Sequence, residues 1–87
     1  MELKEQFEAA SEKVNTLTKR PTNGELLNLY GLYKQGTEGD VNGPKPGMFD
    51  IKGNAKYKAW EVLKGKGKEE AQQEYVSLVD ALIAKYR

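Results

Sequence analysis

The sequence predicts an all-α protein in which four helices pack as a bundle and form one domain over residues 1–87. In four separate segments, apolar residues recur at steps of three and four, the period of a helix buried on one side. No segment sustains the period of two that a half-buried strand requires. A chain of 87 residues also leaves no room for a second core.

The first two helices are separated by a proline. The first carries one apolar stripe and should end near Thr18, because Pro21 disfavours helical geometry in the residue before it. Thr22 and Glu25 have the spacing of a capping box, so we expect the second helix to run from Asn23 to about Gln35. Its apolar residues need more than one buried face: Leu26, Leu27, Leu29, Tyr30, Leu32 and Tyr33.

A long connection rich in glycine and proline follows, from Gly36 to Gly53. Loops of this length are uncommon in small domains and are often functional when they are ordered. Three apolar residues near its end, Met48, Phe49 and Ile51, predict that the loop is fixed to the core.

The third helix is predicted over about Gly53 to Leu63, with Trp60 among its packing residues and Lys64-Gly65 as its end. The fourth helix should begin near Lys68. Its apolar stripe consists of Ala71, Tyr75, Leu78, Val79, Leu82 and Tyr86.

Composition excludes several functions. The chain has no cysteine and no histidine, which rules out disulfides, a thiolate nucleophile, Ser-His catalysis and an imidazole metal ligand. The fragment Asp40-Val41-Asn42-Gly43 lacks the closing glutamate of a calcium loop. Neither Ser11 nor Ser77 has a histidine to activate it, so we expect no enzyme, no metal and no cofactor.

Charge is balanced overall but uneven along the chain. The net charge is +1, which argues against a nucleic-acid binder. Residues 44–68, however, contain seven lysines and two acids, a local excess of +5. The lysines and glycines of residues 64–68 predict a solvated helix junction, since no phosphate-loop motif is present. The N-terminus has no signal-peptide core and no apolar run is long enough to span a bilayer, so we expect a cytoplasmic protein.

Tyrosines and lysines on two helices form the most informative cluster. Tyr30, Tyr33 and Lys34 share one face of the second helix, and Lys52, Lys56 and Trp60 are spaced by four on the third. No carboxylate stands four residues from Lys56. Two rings and unpaired ammonium groups suit a ligand with a phosphate and an aromatic base. From spacing alone, half-buried core tyrosines and lysines extended along the surface fit as well.

Linked motifs then resemble those of the acyl-CoA-binding protein family across essentially the whole chain. The matching residues are Tyr30-Gly31-Leu32-Tyr33-Lys34-Gln35, Gly39-Asp40, Pro46-Gly47-Met48, Lys52-Gly53, Ala55-Lys56 and Ala59-Trp60. The resemblance implies an up-down-down-up bundle with a long overhand loop between helices two and three. It also implies reversible binding of medium- to long-chain fatty acyl-CoA esters by an intracellular carrier. A small chain that presents one open ligand face is most simply a monomer.

The resemblance also implies roles for individual residues. Tyr30, Lys34 and Lys56 should hold the 3′-phosphate of the CoA adenosine, and Tyr33 should stack near the adenine. Four further residues should take part: Tyr75 closing the nucleotide pocket, Lys52 as another contact, and Gly31 and Leu32 as backbone and apolar wall.

The sequence departs from the family pattern at Ser11, Asn15, Gly36, Asn54 and Tyr57. The position of Asn15 is often basic in the family and contacts the ligand there, so we do not assign that role to Asn15.

For the acyl tail, apolar residues of the second helix and the loop end are candidates, namely Leu26, Leu27, Met48 and Phe49. Two alternatives to acyl-CoA binding stay open: a helical adaptor that uses its Tyr/Lys face on acidic partners, and, more weakly, an RNA-binding module.

Overall fold

Four α-helices make up most of the computed structural model, which describes residues 2–86. They are α1 (Leu3–Lys13), α2 (Asn23–Glu38), α3 (Ile51–Glu61) and α4 (Lys68–Lys85), with a short 3-10 turn over Val14–Thr16. No strand occurs within the described residues, and the all-α prediction is confirmed.

Helices α1 and α4 run side by side in the same direction. The rings of Phe7 and Tyr75 lie 5.1 Å apart between centroids, and further along Lys13 Nζ lies 3.9 Å from Asp80 Oδ1. Both pairs advance along the two helices together, which fixes a parallel arrangement.

Helix α2 runs antiparallel to α4. Near the end of α2, the carbonyl of Gly36 accepts a hydrogen bond from Gln72 Nε2 at the start of α4 (2.8 Å). Near the start of α2, Glu25 Oε2 accepts one from Lys85 Nζ at the end of α4 (2.9 Å). This alignment places the long α2–α4 contact at the centre of the bundle.

Helix α3 lies along α2 and parallel to it. Lys56 Nζ sits 5.4 Å from the ring centroid of Tyr30, and one turn later Lys34 Nζ sits 4.9 Å from that of Trp60. The two members of each pair are 26 residues apart in the sequence, so the two helices keep the same alignment along their contact. The order of directions is therefore up-down-down-up, with the long overhand loop joining the parallel α2 and α3, as the family resemblance implies.

The core lies between α1, α2 and α4. Its buried apolar residues are Phe7, Ala10, Leu29, Leu32, Ala71, Tyr75, Val79 and Leu82. Four of them belong to the first and second helices and four to the stripe predicted for the fourth, which confirms the helical periodicity. Trp60 of α3 is buried as well, beside this cluster.

The boundaries of α1 and α2 differ from the prediction by a few residues. Helix α1 ends at Lys13, earlier than Thr18, and the chain tightens into the 3-10 turn, where Thr16 Oγ1 donates to the carbonyl of Lys13 (2.7 Å). Helix α2 has the predicted capping box but extends past Gln35 to Glu38. It ends at Gly39, whose φ of +83° is in the left-handed region that favours glycine.

Helix α3 begins earlier than Gly53 because Asp50 caps it. Asp50 Oδ1 accepts a hydrogen bond from the backbone N–H of Gly53 (2.9 Å), so the helix starts at Ile51. It ends at Glu61, two residues before the predicted Leu63, and a turn over residues 62–65 leads towards α4. The start of α4 at Lys68 is confirmed.

The prediction that Met48, Phe49 and Ile51 fix the long loop to the core is wrong. These side chains are 85%, 91% and 81% exposed. The loop is held at its start by polar contacts, because the Trp60 indole N–H donates to the carbonyl of Gly39 (2.8 Å).

Asp40 provides a second attachment for the loop. Its Oδ1 accepts hydrogen bonds from Gln35 Nε2 (2.9 Å) and from the backbone N–H of Gly65 (2.8 Å). These bonds hold the pKa of Asp40 below its ordinary value, chiefly through Gly65. The start of the loop is therefore tied both to α2 and to the turn after α3.

The start of α2 and the end of α4 meet at Glu25. Its carboxylate accepts from the N–H of Thr22 within the capping box, from the Tyr86 hydroxyl (2.5 Å) and from Lys85. These bonds, led by that of Tyr86, lower the pKa of Glu25 to about 2. The start of α2 and the end of α4 are thereby joined through one carboxylate.

Candidate functional site

The predicted site residues depend on an unusually close approach of α2 and α3. A Cβ atom at Gly31 would lie 2.5 Å from the carbonyl oxygen of Ala59, nearer than any real side-chain contact. Only glycine lets the backbone of α3 come this close at that point. The approach brings Tyr30, the residue before Gly31, into contact with Lys56, which lies about one turn before Ala59.

A groove of about 390 Å³ opens between α2, α3 and the segment before Pro21; we call it the α2–α3 groove. Its walls combine apolar side chains, the ring of Tyr30 and three cations, with no acidic residue among those that line it. The cations are Arg20, Lys52 and Lys56, and the apolar residues include Leu26, Leu27 and Ala55. The arrangement suits an anion that carries an apolar extension.

A neutral cavity of about 290 Å³ adjoins this groove; we call it the tyrosine cleft. Tyr30 and Leu26 line both spaces, so the two adjoin at these side chains. The cleft is otherwise lined by residues without formal charge, including Asn15, Tyr33 and Tyr75. A ligand with a charged part and an aromatic part would find both surfaces in one connected site.

Lys56 is an exposed cation of the groove that lies over an aromatic ring. Its ammonium lies 5.4 Å from the Tyr30 ring centroid, a distance at which a cation is attracted to an aromatic face. Within residues 2–86 no carboxylate lies at ion-pair distance from Lys56 or Lys52. Both ammonium groups can therefore donate to phosphate oxygens without leaving a partner.

Lys34 is in a different state. Its ammonium donates to Glu38 Oε2 and lies 4.9 Å from the Trp60 ring centroid. The bond to Glu38 is the main cause that raises the pKa of Lys34, so the lysine stays charged. Lys34 lines neither the α2–α3 groove nor the tyrosine cleft.

Three aromatic rings meet at the tyrosine cleft. Phe7, Tyr33 and Tyr75 have centroids 5.1 to 5.7 Å apart, with Phe7 and Tyr33 stacked. Tyr75 is buried, and desolvation raises the pKa of its hydroxyl. Tyr33 remains 41% exposed although it contacts both other rings, and it also borders a wider depression of about 670 Å³ beside Ser11. Part of the Tyr33 ring is thus open to a planar ligand group.

The structure brings Tyr30, Tyr33, Tyr75, Lys52 and Lys56 to one connected surface. It separates the remaining predicted residues from that surface. Gly31 serves the packing of α2 on α3, Lys34 is paired with Glu38, and Leu32 lines a separate cavity of about 600 Å³ with Val62 and Leu78. Leu32 points away because successive residues of a helix lie about 100° apart.

The expected tail contacts divide in the same way. Leu26 and Leu27 line the groove, whereas Met48 and Phe49 are exposed and line neither the groove nor the cleft. Ile51 lines the groove from its rim.

Arg20 is a groove residue that sequence analysis missed. It lies in the short connection between α1 and α2, next to Pro21, which is buried. No periodic pattern covers this connection, so the position of Arg20 follows only from the path of the chain. Asn23, at the first position of α2, reaches the groove in the same way.

Among residues 2–86 no group of three or more acidic side chains could hold a metal ion. No helix over the same residues is long and apolar enough to cross a membrane.

Comparison with known proteins identifies the family. The sequence model described as "Acyl CoA binding protein" matches residues 4–79. The "Acyl-CoA-binding protein homolog" of Drosophila melanogaster is 56% identical over 82 residues, which cover 94% of this chain and 95% of that protein. The "Acyl-CoA-binding protein" of Saccharomyces cerevisiae is 54% identical over 80 residues, 92% of each chain.

The solved structures agree. The crystal structure of Oryza sativa Acyl-CoA-Binding Protein 2 superposes with a TM-score of 0.92 at 43% identity, covering 97% of this chain and 93% of that one. A likeness of this extent in both sequence and fold is shared by members of one family, and the chain belongs to the acyl-CoA-binding protein family.

Proposed function

We propose that this protein binds medium- to long-chain fatty acyl-CoA esters reversibly and acts as a cytoplasmic acyl-CoA carrier that maintains a bound pool. One observation carries the proposal: the cationic α2–α3 groove and the aromatic tyrosine cleft lie side by side and share Leu26 and Tyr30 as wall residues. An acyl-CoA presents phosphates, an adenine and an apolar chain, and the site offers a matching surface for each. The relatives named acyl-CoA-binding proteins support the same ligand class.

The phosphates belong at the cationic groups. Tyr30 and Lys56 are already in contact, and we assign the 3′-phosphate of the CoA adenosine to them, with Lys34 joining when it leaves Glu38. Lys52 provides a further ammonium at the same groove. A phosphate monoester carries about −1.5 to −2 charges at neutral pH, so charge-assisted hydrogen bonds favour it over a neutral group.

The adenine belongs at the tyrosines. The exposed part of the Tyr33 ring can stack on a base, and stacking contributes about 1–3 kcal/mol per base. Tyr75, packed against Tyr33, forms the floor of this position.

The acyl chain belongs in the groove along Leu26 and Leu27. Each methylene removed from water contributes about 0.8 kcal/mol, close to a four-fold gain in affinity. Long chains can therefore dominate the affinity, while the head group supplies specificity.

We infer binding without chemistry. The hydroxyl of Ser11, the serine nearest the aromatic cluster, donates to the carbonyl of Glu8 (2.7 Å), and the chain has no histidine or cysteine to activate a nucleophile. Incubation with a long-chain acyl-CoA should release no free thiol over hours. Release of thiol at a rate proportional to protein concentration would contradict this inference.

Calorimetric titration tests the binding proposal. CoA, a short-chain and a long-chain acyl-CoA should bind with rising affinity, and equal affinities would contradict burial of the tail. Lys56→Met should weaken binding about ten-fold, because a hydrogen bond to a charged group contributes about 1.5–3 kcal/mol and the site is partly solvated.

Lys58→Met is the matched control. It removes an exposed lysine two residues away that does not line the groove, so its affinity should stay at the wild-type value. Equal losses in both variants would assign the effect to general charge and refute the role of Lys56. The relatives' names do not support the adaptor alternative, and binding of an acidic peptide that acyl-CoA fails to displace would be needed to revive it.

A further inference from the structure

Lys34 and Glu38 form an ion pair beside the proposed phosphate position. They stand four residues apart on α2, the spacing at which oppositely charged side chains meet on a helix. Lys34 Nζ donates to Glu38 Oε2 while its ammonium lies near the Trp60 ring. The side chains of Lys34 and Glu38 are 26% and 44% exposed, so solvent reaches the pair. Either side chain can therefore leave the other and bind a different partner.

The two lysines that face each other across the α2–α3 contact are therefore unlike. Lys56, over Tyr30, has no carboxylate partner in the part of the chain that the structure describes. The charge of Lys34, one turn further along α2, is balanced by Glu38 on the same helix. The positive charge available to an arriving anion comes from Lys56 and the other groove cations, whereas that of Lys34 is balanced by Glu38.

We propose that Glu38 competes with the ligand phosphate for Lys34 and thereby sets the affinity for CoA esters below what the site would otherwise reach. The inference rests on the proposed function and extends it to a residue outside the groove. A phosphate that recruits Lys34 must share its ammonium with the Glu38 carboxylate or displace that carboxylate, and in either case it lies near a like charge. A ligand without that phosphate leaves the pair intact, so Glu38 does not affect it.

The effect is modest because the pair is solvated. Measured exposed ion pairs correspond to only a small factor in equilibrium, and removal of Glu38 should strengthen CoA binding about two- to five-fold. Glu38→Gln preserves the size of the side chain and its acceptor oxygen while removing the charge. It lies at the last position of α2, where loss of a negative charge favours the helix, so the variant should fold.

The chain offers a closely matched control. Lys66 and Glu74 form a second lysine–glutamate pair, with exposures of 22% and 45%. Glu74 lines the separate cavity on the other side of α2, not the groove or the cleft. Glu74→Gln therefore removes the same charge from an equivalent ion pair away from the proposed site.

Isothermal titration with CoA and 3′-dephospho-CoA tests the proposal. Glu38→Gln should bind CoA two- to five-fold more tightly than wild type and dephospho-CoA equally well, and Glu74→Gln should match wild type for both. In a Lys34→Met background, Glu38→Gln should no longer improve CoA binding.

The outcomes separate the two levels of the argument. Wild-type affinity for CoA in Glu38→Gln, weaker binding, or an equal gain in Glu74→Gln overturns the role of Glu38 while acyl-CoA binding stands. Failure of the wild-type protein to bind CoA and acyl-CoA overturns the proposed function, and the role of Glu38 with it.

Discussion

Gly31→Ala should destabilise the protein, although alanine is the better helix former. The new Cβ would lie 2.5 Å from the carbonyl oxygen of Ala59, 2.9 Å from its carbonyl carbon and 3.3 Å from Leu63 Cδ1. The first two atoms belong to the backbone of α3 and cannot rotate away. To restore ordinary contact, α2 and α3 must separate by about 1 Å.

Two opposing contributions decide the magnitude. Overpacking of this kind costs about 1–3 kcal/mol. Alanine within a helix contributes up to about 1 kcal/mol relative to glycine. We expect a net loss of about 1–2 kcal/mol in the free energy of unfolding. For a domain of this size each kcal/mol lowers Tm by about 4–8 °C.

Thermal unfolding followed by circular dichroism measures the effect, with Gly24→Ala as the control. Gly24 lies on the same helix, and the nearest atom to a Cβ there is Thr22 Oγ1 at 4.0 Å. This variant should melt at or above the wild-type temperature. The reasoning is refuted if Gly31→Ala melts as high as Gly24→Ala.

The same pair of variants connects packing to binding. Separation of α2 from α3 moves Lys56 away from Tyr30, so Gly31→Ala should also weaken acyl-CoA binding in calorimetry at a temperature where it is fully folded. Wild-type affinity in a destabilised Gly31→Ala would show that the site tolerates a wider spacing.

Three further outcomes are expected. Because the folded-state pKa of Glu25 lies near 2, below the ordinary 4.5, its stabilising contribution is present above pH 4.5 and is lost as pH falls from 4.5 towards 2; an NMR titration of its carboxyl carbon with a midpoint near 4.5 would contradict this. Tyr86→Phe removes the largest cause of that shift, so the same titration should show a higher midpoint, and an unchanged one would exclude the hydroxyl as the cause. Trp60→Phe removes the donor to the Gly39 carbonyl and should lower the free energy of unfolding by about 1 kcal/mol in denaturant titration; an unchanged midpoint would show that this bond does not fix the loop.

The elements predicted best from sequence are those determined by local chemistry. The capping box of Thr22 and Glu25 consists of two side chains within one turn, and the structure contains both of its bonds. The cap of α3 is equally local, since Asp50 precedes Gly53 by three residues. It was not predicted, because the glycines and prolines before Gly53 indicated that the loop continued to that residue. The local signal at Pro21 was less exact, because α1 ends at Lys13 and not near Thr18.

Contacts between distant residues could not be predicted in this way. The loop was expected to be anchored by its own apolar residues, and the structure anchors it through Trp60, 21 residues from the carbonyl it binds, and through Asp40 to Gly65, 25 residues away. Such partners depend on how α3 is placed against α2. Periodicity describes one helix at a time and contains no such information.

For the site, the sequence predicted which residues take part but not which of the lysines is paired with a carboxylate. Helical spacing correctly placed Tyr30 and Lys56 on facing helices, and their contact follows from the register at Gly31. The pairing of Lys34 was also readable in principle, because Glu38 follows it by four residues. The prediction for Lys34 rested on the tyrosines that share its helix face and did not include Glu38.

The charge that an anion meets at this surface therefore differs from the charge that composition reports. The protein as a whole carries +1, yet the α2–α3 groove is lined by three cations and no acid. Lys34 lies one helical turn beyond Tyr30, outside the groove lining, and its charge is balanced by Glu38. Because the pair is exposed and weak, a dianionic phosphate can compete for Lys34 where a neutral group cannot. Affinity for an anion then depends less on how many lysines surround the groove than on which of them has an acid one helical turn away.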